Sequence, residues 1–221
     1  MFVVTRSLVL NVVVLEKAEV FANVREMLSM AESGCEDAVS ANPNRRRPGL
    51  MNLMTYGRSV TFAIQTVKGL VSGFDEWWLP YQEWMKNDPL MSYFNDARVD
   101  ITHKGALKTS SSVQIGKDGP VDMGSLIRNL SKNAPPHTVG IFLGEGTTGG
   151  SGWEVEMSDG SKVNIYFELP TEFDIQSSFH LTGGPTMHDG KELGDSSAQQ
   201  LSTLYMSALR RIVNEFEERW K

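Results

Sequence analysis

The chain has 221 residues, 40% of them hydrophobic and 22% charged, with a formal net charge of −6. Such a composition supports one large domain or two small ones and excludes a disordered chain, a collagen-like repeat and a general polyanion binder. A single cysteine, Cys35, excludes an intramolecular disulfide framework and suits a reducing, cytoplasmic setting.

Residues 1–15 are apolar and β-branched, but Asn11 interrupts them, Arg6 is their one positive charge, and no small-residue cleavage site precedes Glu16. The stretch is too short to span a bilayer and reads as a buried strand or an apolar lead-in to the first helix, with no membrane partner. From Glu16 to Val39, the apolar residues Val20, Phe21, Val24, Met27, Leu28 and Ala31 recur as one helical face. Residues 41–49 carry Pro43 and Pro48 around Arg45-Arg46-Arg47 and read as a loop. Helix is expected to resume at Leu50 and to run through Leu53, Met54, Val60 and Ile64 towards Val71, where Gly69 and Gly73 weaken it.

Residues 74–86 hold Phe74, Trp77, Trp78, Tyr81 and Trp84 with Pro80 among them, a short helix or a tight linker whose rings pack on the long helices. Asp88-Pro89 combines an acidic N-cap with proline at the first helical position. The helix it starts should bury Leu90, Phe94 and Ala97, finish near His103 and stop on Gly105.

Beyond residue 108 the period changes to two. Trp153, Val155 and Met157 alternate with Glu154 and Glu156, and Val163, Ile165 and Phe167 follow, with Asp159-Gly160 between the runs as a type I′ hairpin signal. Strands are also expected at 112–115 and 139–143, joining one small antiparallel sheet whose apolar face covers the helices. Residues 170–194 read as loop with a short strand at 179–181, and Asp195 or Ser196 caps a last helix with the stripe Leu201, Leu204, Tyr205, Ala208, Ile212, Val213 and Phe216. The expected class is α+β: a helical bundle over 1–108 closed by 195–221, with the sheet and loops of 109–194 inserted before the last helix.

Charge divides unevenly, with 12 basic and 12 acidic residues up to 108 but 9 basic and 15 acidic after it. Arg45, Arg46, Arg47, Arg58 and Lys104, all in the helical half, are therefore the candidates for binding the phosphates of RNA or a nucleotide, with a solvated arginine loop as the alternative.

Residues 93–105 read Tyr-Phe-Asn-Asp-Ala-Arg-Val-Asp-Ile-Thr-His-Lys-Gly, which sets Arg98 and His103 in an R-x4-H arrangement at a helix end. With two long helices before it and one after, the segment resembles the HEPN (higher eukaryotes and prokaryotes nucleotide-binding) superfamily, over the helical part of the chain. The resemblance implies a helical bundle that dimerises and, in active members, cuts RNA without a metal, with Arg98 on the phosphate and His103 as general acid and base. Val99 follows Arg98 where active members usually carry a polar residue, and Asp100 comes one position later. A non-catalytic module for dimerisation or for nucleotide or protein binding therefore stands beside the nuclease.

Helical geometry limits the pair: five steps separate Arg98 from His103 by about 140° around the axis. They converge only if the helix ends at His103 or a second subunit supplies the other residue. Asp100 and His103, three apart, can touch, so Asp100 could orient the ring; a purely structural role would instead pair Arg98 with Asp96 or Asp100. The Gly144–Gly152 stretch lacks a G-K-[ST] ending and precedes a strand, so it reads as a hairpin loop rather than a phosphate cradle. His180, His188 and Asp189 have no supporting cysteine pair or helical H-x3-H and read as ordinary loop residues, and no metal or other cofactor is expected. Trp77, Trp78, Trp84, Met51 and Met54 exceed what a few helices can bury alone, which predicts a symmetric homodimer through the helical half.

Overall fold

The computed structural model describes residues 16–116 and 119–221, so the expected role of residues 1–15 lies outside the described residues. Helix α1 (Lys17–Ala38) buries Val20, Phe21, Val24, Leu28 and Ala31 on one face, as the periodicity requires. Helix α2 (Pro43–Gln65) runs back along it. Two glycines let the backbones touch: a Cβ on Gly34 would lie 2.5 Å from the amide nitrogen of Leu53, and one on Gly49 would lie 2.4 Å from that of Ala38.

The stretch read as a proline-bearing loop is the start of α2. Asn42 accepts the Asn44 N–H at 3.1 Å and Pro43 takes the first position, where a missing N–H costs nothing. Pro48 sits one turn further in, and the neighbouring arginines tie this turn to the rest of the fold through bonds described below.

Residues 74–86 are helical and no linker. Helix α3 (Phe74–Asn87) begins after Gly73, whose φ of 71° lets the chain turn in, and keeps Pro80 inside. Helix α4 (Pro89–Lys104) starts as expected: Asp88 accepts the N–H groups of Leu90 and Met91, each at 3.0 Å, and Gly105 ends it with φ 62°. Leu90, Met91 and Phe94 are buried, and Ala97 is half-buried.

Strand β1 (Thr109–Ile115) follows, and helix α5 (Met123–Lys132), which no periodicity signalled, is capped by Asp122 through the N–H groups of Gly124 and Ser125. Strands β2 (Thr138–Phe142), β3 (Ser151–Glu156) and β4 (Lys162–Phe167) make an antiparallel sheet in that order. Strand β5 (Ile175–Leu181) pairs with β1 over its whole length, far longer than the strand expected at 179–181. A tiny hairpin of β6 (Met187–His188) and β7 (Lys191–Glu192) precedes helix α6 (Ala198–Trp220). The single expected sheet is thus three separate ones, because the ribbon β1–β5 leaves the hairpin sheet to join the helices.

Two further details differ. The β3–β4 turn has Gly160 at φ 81°, but Asp159 is not left-handed, so the connection is a type I turn closed by Gly160 rather than type I′. Ser197, not Asp195 or Ser196, caps α6 through the Gln200 N–H, while Asp195 holds the Ser197 N–H and hydroxyl.

One core joins α1, α2, α3, α4 and α6 with Phe179 and Leu181 of β5. Phe21 stacks on Phe216 with ring centroids 4.7 Å apart, and Phe94 stacks on Tyr205 at 4.1 Å. Trp77 meets Trp220 edge-on at 4.9 Å, and Phe74 and Trp78 are buried beside it. The tryptophans invoked for a dimer are therefore consumed largely inside the chain, by α6.

The hairpin sheet does not cover this bundle. Trp153 and Val155 face Leu126 and Leu130 of α5, with the Trp153 indole donating to the Leu130 carbonyl at 3.1 Å. Met157, Val163 and Ile165 stay 39–46% exposed, since α5 is too short to roof the outer strand. Among the described residues no helix is long and apolar enough to cross a membrane.

Candidate functional site

Helix α4 carries Arg98 and His103, and it turns them apart. Arg98 is half-buried and near enough to Arg58 of α2 to lower its pKa, whereas His103 lies exposed in the last turn. Asp100 does not orient the histidine. Its carboxylate takes the Lys104 ammonium at 2.7 Å, a four-residue helical spacing that competes with the three-residue one, and this contact holds Asp100 below its ordinary range. Asp96 forms no ion pair with Arg98 either; its carboxylate accepts from the Asn95 amide at 3.4 Å.

The consecutive arginines point three ways, and each is committed to the fold. Arg45 pairs with Asp37 at the end of α1. Arg46 donates to the carbonyls of Ser40 at 2.9 Å and Thr148 at 3.1 Å, and burial pulls its pKa down. Arg47 donates to the Leu107 carbonyl at 2.7 Å. Arg46 and Arg47 satisfy carbonyls that helix ends and loops leave open, and Arg45 meets a carboxylate, so the three are tied into the fold and are not a free loop.

The glycine-rich loop between β2 and β3 already holds an anion of its own. The Glu145 carboxylate accepts the N–H groups of Thr147 at 2.9 Å and Thr148 at 3.0 Å together with both hydroxyls. Burial pushes this carboxyl up, but the four donors outweigh it and hold Glu145 below its ordinary range. Gly149 and Gly150 are required by contact: a Cβ on Gly149 would lie 2.7 Å from that of Phe179, and one on Gly150 would lie 2.3 Å from the Tyr166 ring.

Asp88, His188 and Asp189 bring three metal-type ligand atoms within 4.8 Å of one another. Their lone pairs are engaged. Asp88 accepts the Asp189 N–H at 2.8 Å besides capping α4 and meeting His188 Nδ1 at 3.0 Å. Asp189 accepts from the Trp84 indole at 2.7 Å and from Arg211 at 3.2 Å. The cluster clips the β6–β7 hairpin to the α3–α4 corner and to α6. His180 lies elsewhere, in β5 opposite Ser110.

What remains uncommitted is the space beside Arg58. A crevice of about 410 Å³ opens between α2, α3 and α4 over Tyr205 of α6. Its walls are polar stripes at helical spacing: Arg58, Thr61 and Gln65 on α2, Gln82 and Lys86 on α3, and Ser92, Asn95 and Asp96 on α4. Arg58 lies over the Phe62 ring at 4.3 Å and donates to the Thr61 hydroxyl at 3.2 Å. Burial lowers its pKa, and the nearby Arg98 lowers it further against the opposing pull of Tyr205. The fully buried Tyr205 phenol is pushed well above its ordinary range and stays neutral. Neither arginine forms an ion pair among the described residues, and Arg98 Nε is buried without an acceptor.

Arg58 and Arg98 were both legible as candidates; their meeting was not. Gln65, Gln82 and Asn95 were missed, although Arg58-x2-Thr61-x3-Gln65 is a polar stripe on a helix otherwise read for its apolar face.

Fold and crevice together define an α+β protein whose helical core is closed by its last helix and carries a polar crevice between its helices. The family model described as Bacteriophage lambda protein ea47 matches residues 33–116, from the last turns of α1 through α2, α3 and α4 to the strand after them. That stretch is similar to the phage family and holds both Arg58 and Arg98, while Tyr205 falls outside it. No curated protein and no solved structure gives a match.

Proposed function

We propose that this is a HEPN-like, non-catalytic binding module that takes an anionic, phosphate-bearing ligand at the crevice lined by Arg58 and Lys86. One observation carries the reading: Arg58, half-buried on the crevice wall, forms no ion pair among the described residues, and Arg98 is near enough to lower its pKa further. Buried like charges repel and lose hydration, a cost an incoming anion would reverse. Planar guanidiniums match phosphate oxygens in pairs, and bundle cores commonly build ligand sites from facing helices. A reducing, cytoplasmic location belongs to the same proposal.

The test is phosphate binding to the purified chain, followed by tryptophan fluorescence, since Trp78 lines the crevice. Saturable quenching that is lost in Arg58→Ala supports the reading. No response, or one that Arg58→Ala leaves unchanged, removes it.

A second reading is the metal-independent endoribonuclease at a homodimer cleft. His103 favours it, exposed in the last turn of α4 where a second copy could reach it. Because Arg98 and His103 diverge on α4, that chemistry needs His103 of one copy beside Arg98 of another. It stands or falls with RNA cleavage by a dimer.

A further inference from the structure

Strand β4 has a neighbour on one side only. It pairs with β3 and, among the described residues, with no other strand, so its second edge is free. The ladder fixes which groups face outward. The Met157 N–H donates to the Ser161 carbonyl at 2.8 Å, and alternation from that pair spends the N–H and C=O groups of Val163, Ile165 and Phe167 on β3. Those of Lys162, Asn164 and Tyr166 point away from the sheet.

Free edges are normally blunted by a bulge, a proline or charge. The other edge of this sheet is blunted, since β2 slips register between Thr138 and Gly140. Strand β4 pairs regularly, contains no proline and carries one charge, Lys162 at its start. Its apolar Val163 and Ile165 are 39% and 40% exposed. Beyond the edge there is room. Residues 164 to 169 all border a groove of about 870 Å³ that Asn42, Pro43 and Asn44 at the start of α2 bound opposite. Side chains alternate between faces, so consecutive residues along a groove mean that the edge of the strand, not a face, borders it.

What fits such an edge is another strand, and the sequence of β4 fits itself. In an antiparallel pair centred on Ile165, that residue meets its own copy, Val163 meets Phe167, Asn164 meets Tyr166 and Lys162 meets Glu168. Apolar residues then match on one face and polar ones on the other, with opposite charges at both ends. An axis at Asn164 or Tyr166 keeps the faces but loses the ion pairs, and an axis between residues sets apolar against polar. Glu168 is exposed and forms no ion pair among the described residues. Lys162 holds Glu154 of β3 at 2.8 Å and still keeps 55% of its side chain exposed.

We propose that β4 is the interface of a symmetric dimer, pairing edge to edge with β4 of a second copy so that the two hairpin sheets run on into one. The surface is independent of the crevice between the helices. Backbone hydrogen bonds supply the attraction, and the Lys162–Glu168 pairs set the register. One strand pair is a small contact, so the dimer forms at micromolar concentration and dissociates on dilution, which returns Ile165 to its exposure in the single chain.

Sedimentation velocity on the full chain from about 1 to 100 µM tests it, with a shift from monomer to dimer expected. Asn164→Pro removes an outward N–H that the fold does not use, and should leave a monomer with the melting temperature of dilute wild type. Lys162→Glu and Glu168→Lys should each weaken the dimer about tenfold, and the double reversal should restore it, a pattern that a folding defect does not reproduce. In a Cys35→Ser background, Ile165→Cys should oxidise to a linked dimer, because residues facing each other there have Cα atoms about 4.5 Å apart. Val163→Cys, which faces Phe167, should not. A chain still monomeric at about 100 µM overturns the proposal and leaves the edge to an extended segment of a different protein. A dimer that survives the single reversals and gives no Ile165→Cys link overturns it too, and those variants decide the matter even if Asn164→Pro fails to fold.

Discussion

Asp88 and His188 meet at 3.0 Å across a hundred residues of chain, and the same Asp88 carboxylate starts α4. One side chain thus joins a local signal, the helix cap, to a tertiary one. Asp88→Ala should cost about 3 kcal/mol, the sum of a lost cap and lost charge-assisted bonds. His188→Ala, which leaves the cap intact, should cost about 1 kcal/mol. Urea unfolding of both variants measures the difference, and equal losses would show that the cap alone matters.

Arg25 reaches Glu217 from the other end of the fold with a two-point fork, and this contact holds the buried Glu217 carboxyl below its ordinary range. A carboxyl lowered in the folded state adds stability above its unfolded pKa, near 4.5, and loses it as pH falls through the folded value. Arg25 is half exposed, so Arg25→Ala should cost about 1 kcal/mol at neutral pH. The gap to wild type should shrink as pH drops below about 4.5. A gap that stays constant down to pH 3 in thermal melts would sink this assignment.

The hairpin sheet separates two kinds of apolar residue. Ile165 is 40% exposed and Leu126 is 1% exposed. Ile165→Asp should therefore cost no more than about 1 kcal/mol, whereas Leu126→Ala, under the sheet, should cost about 2–4 kcal/mol. Reversed magnitudes in denaturant titrations would mean that something covers the outer strand in solution.

Gly49→Ala should destabilise by about 3 kcal/mol, because its Cβ would press on the backbone of α1. Gly146→Ala has open space and serves as the control, with an expected change within about 0.5 kcal/mol. Similar melting temperatures for the two would refute close α1–α2 contact.

His103 offers a clean test of chemistry because it is exposed. His103→Ala should leave the melting temperature nearly unchanged, since an exposed substitution of this kind costs about 0.5 kcal/mol or less. On the binding-module reading, wild type leaves single-stranded RNA intact from about pH 5 to 8, a range that brackets histidine titration. Cleavage lost in His103→Ala would instead establish the nuclease.

The helices were legible wherever one apolar stripe and one local cap agreed, as at Val20–Ala31 and Asp88-Pro89. Reading Pro43 and Pro48 as loop failed because one proline is favoured at the first helical position and the other is held by arginine contacts remote in sequence. Strand β5 was hidden since Gln176, Ser177 and Ser178 carry little β signal; its register comes from pairing with the equally serine-rich β1. The candidate site divided the same way. Arg98 and Arg58 stood out by residue type, but only the packing of α2 on α4 brings them together. Asp100 had two cationic neighbours within helical reach, and spacing alone could not choose Lys104 over His103.

Helix α6 supplies Leu201, Tyr205, Leu209, Ile212, Val213 and Phe216 to the core that α1 and α2 begin. On the ribosome those two helices emerge far ahead of it, with their apolar stripes facing water. The paired α1–α2 hairpin can form early, but its greasy side lacks α6 until more than a hundred and thirty further residues have been made. Closing so long a loop adds only slowly to the entropic cost, yet it postpones burial in time. Synthesis of α6 is thus the step that commits the nascent chain. A ribosome stalled before α6 would hold a sticky intermediate, with β1 to β7 strung between a helical half-core and its missing partner.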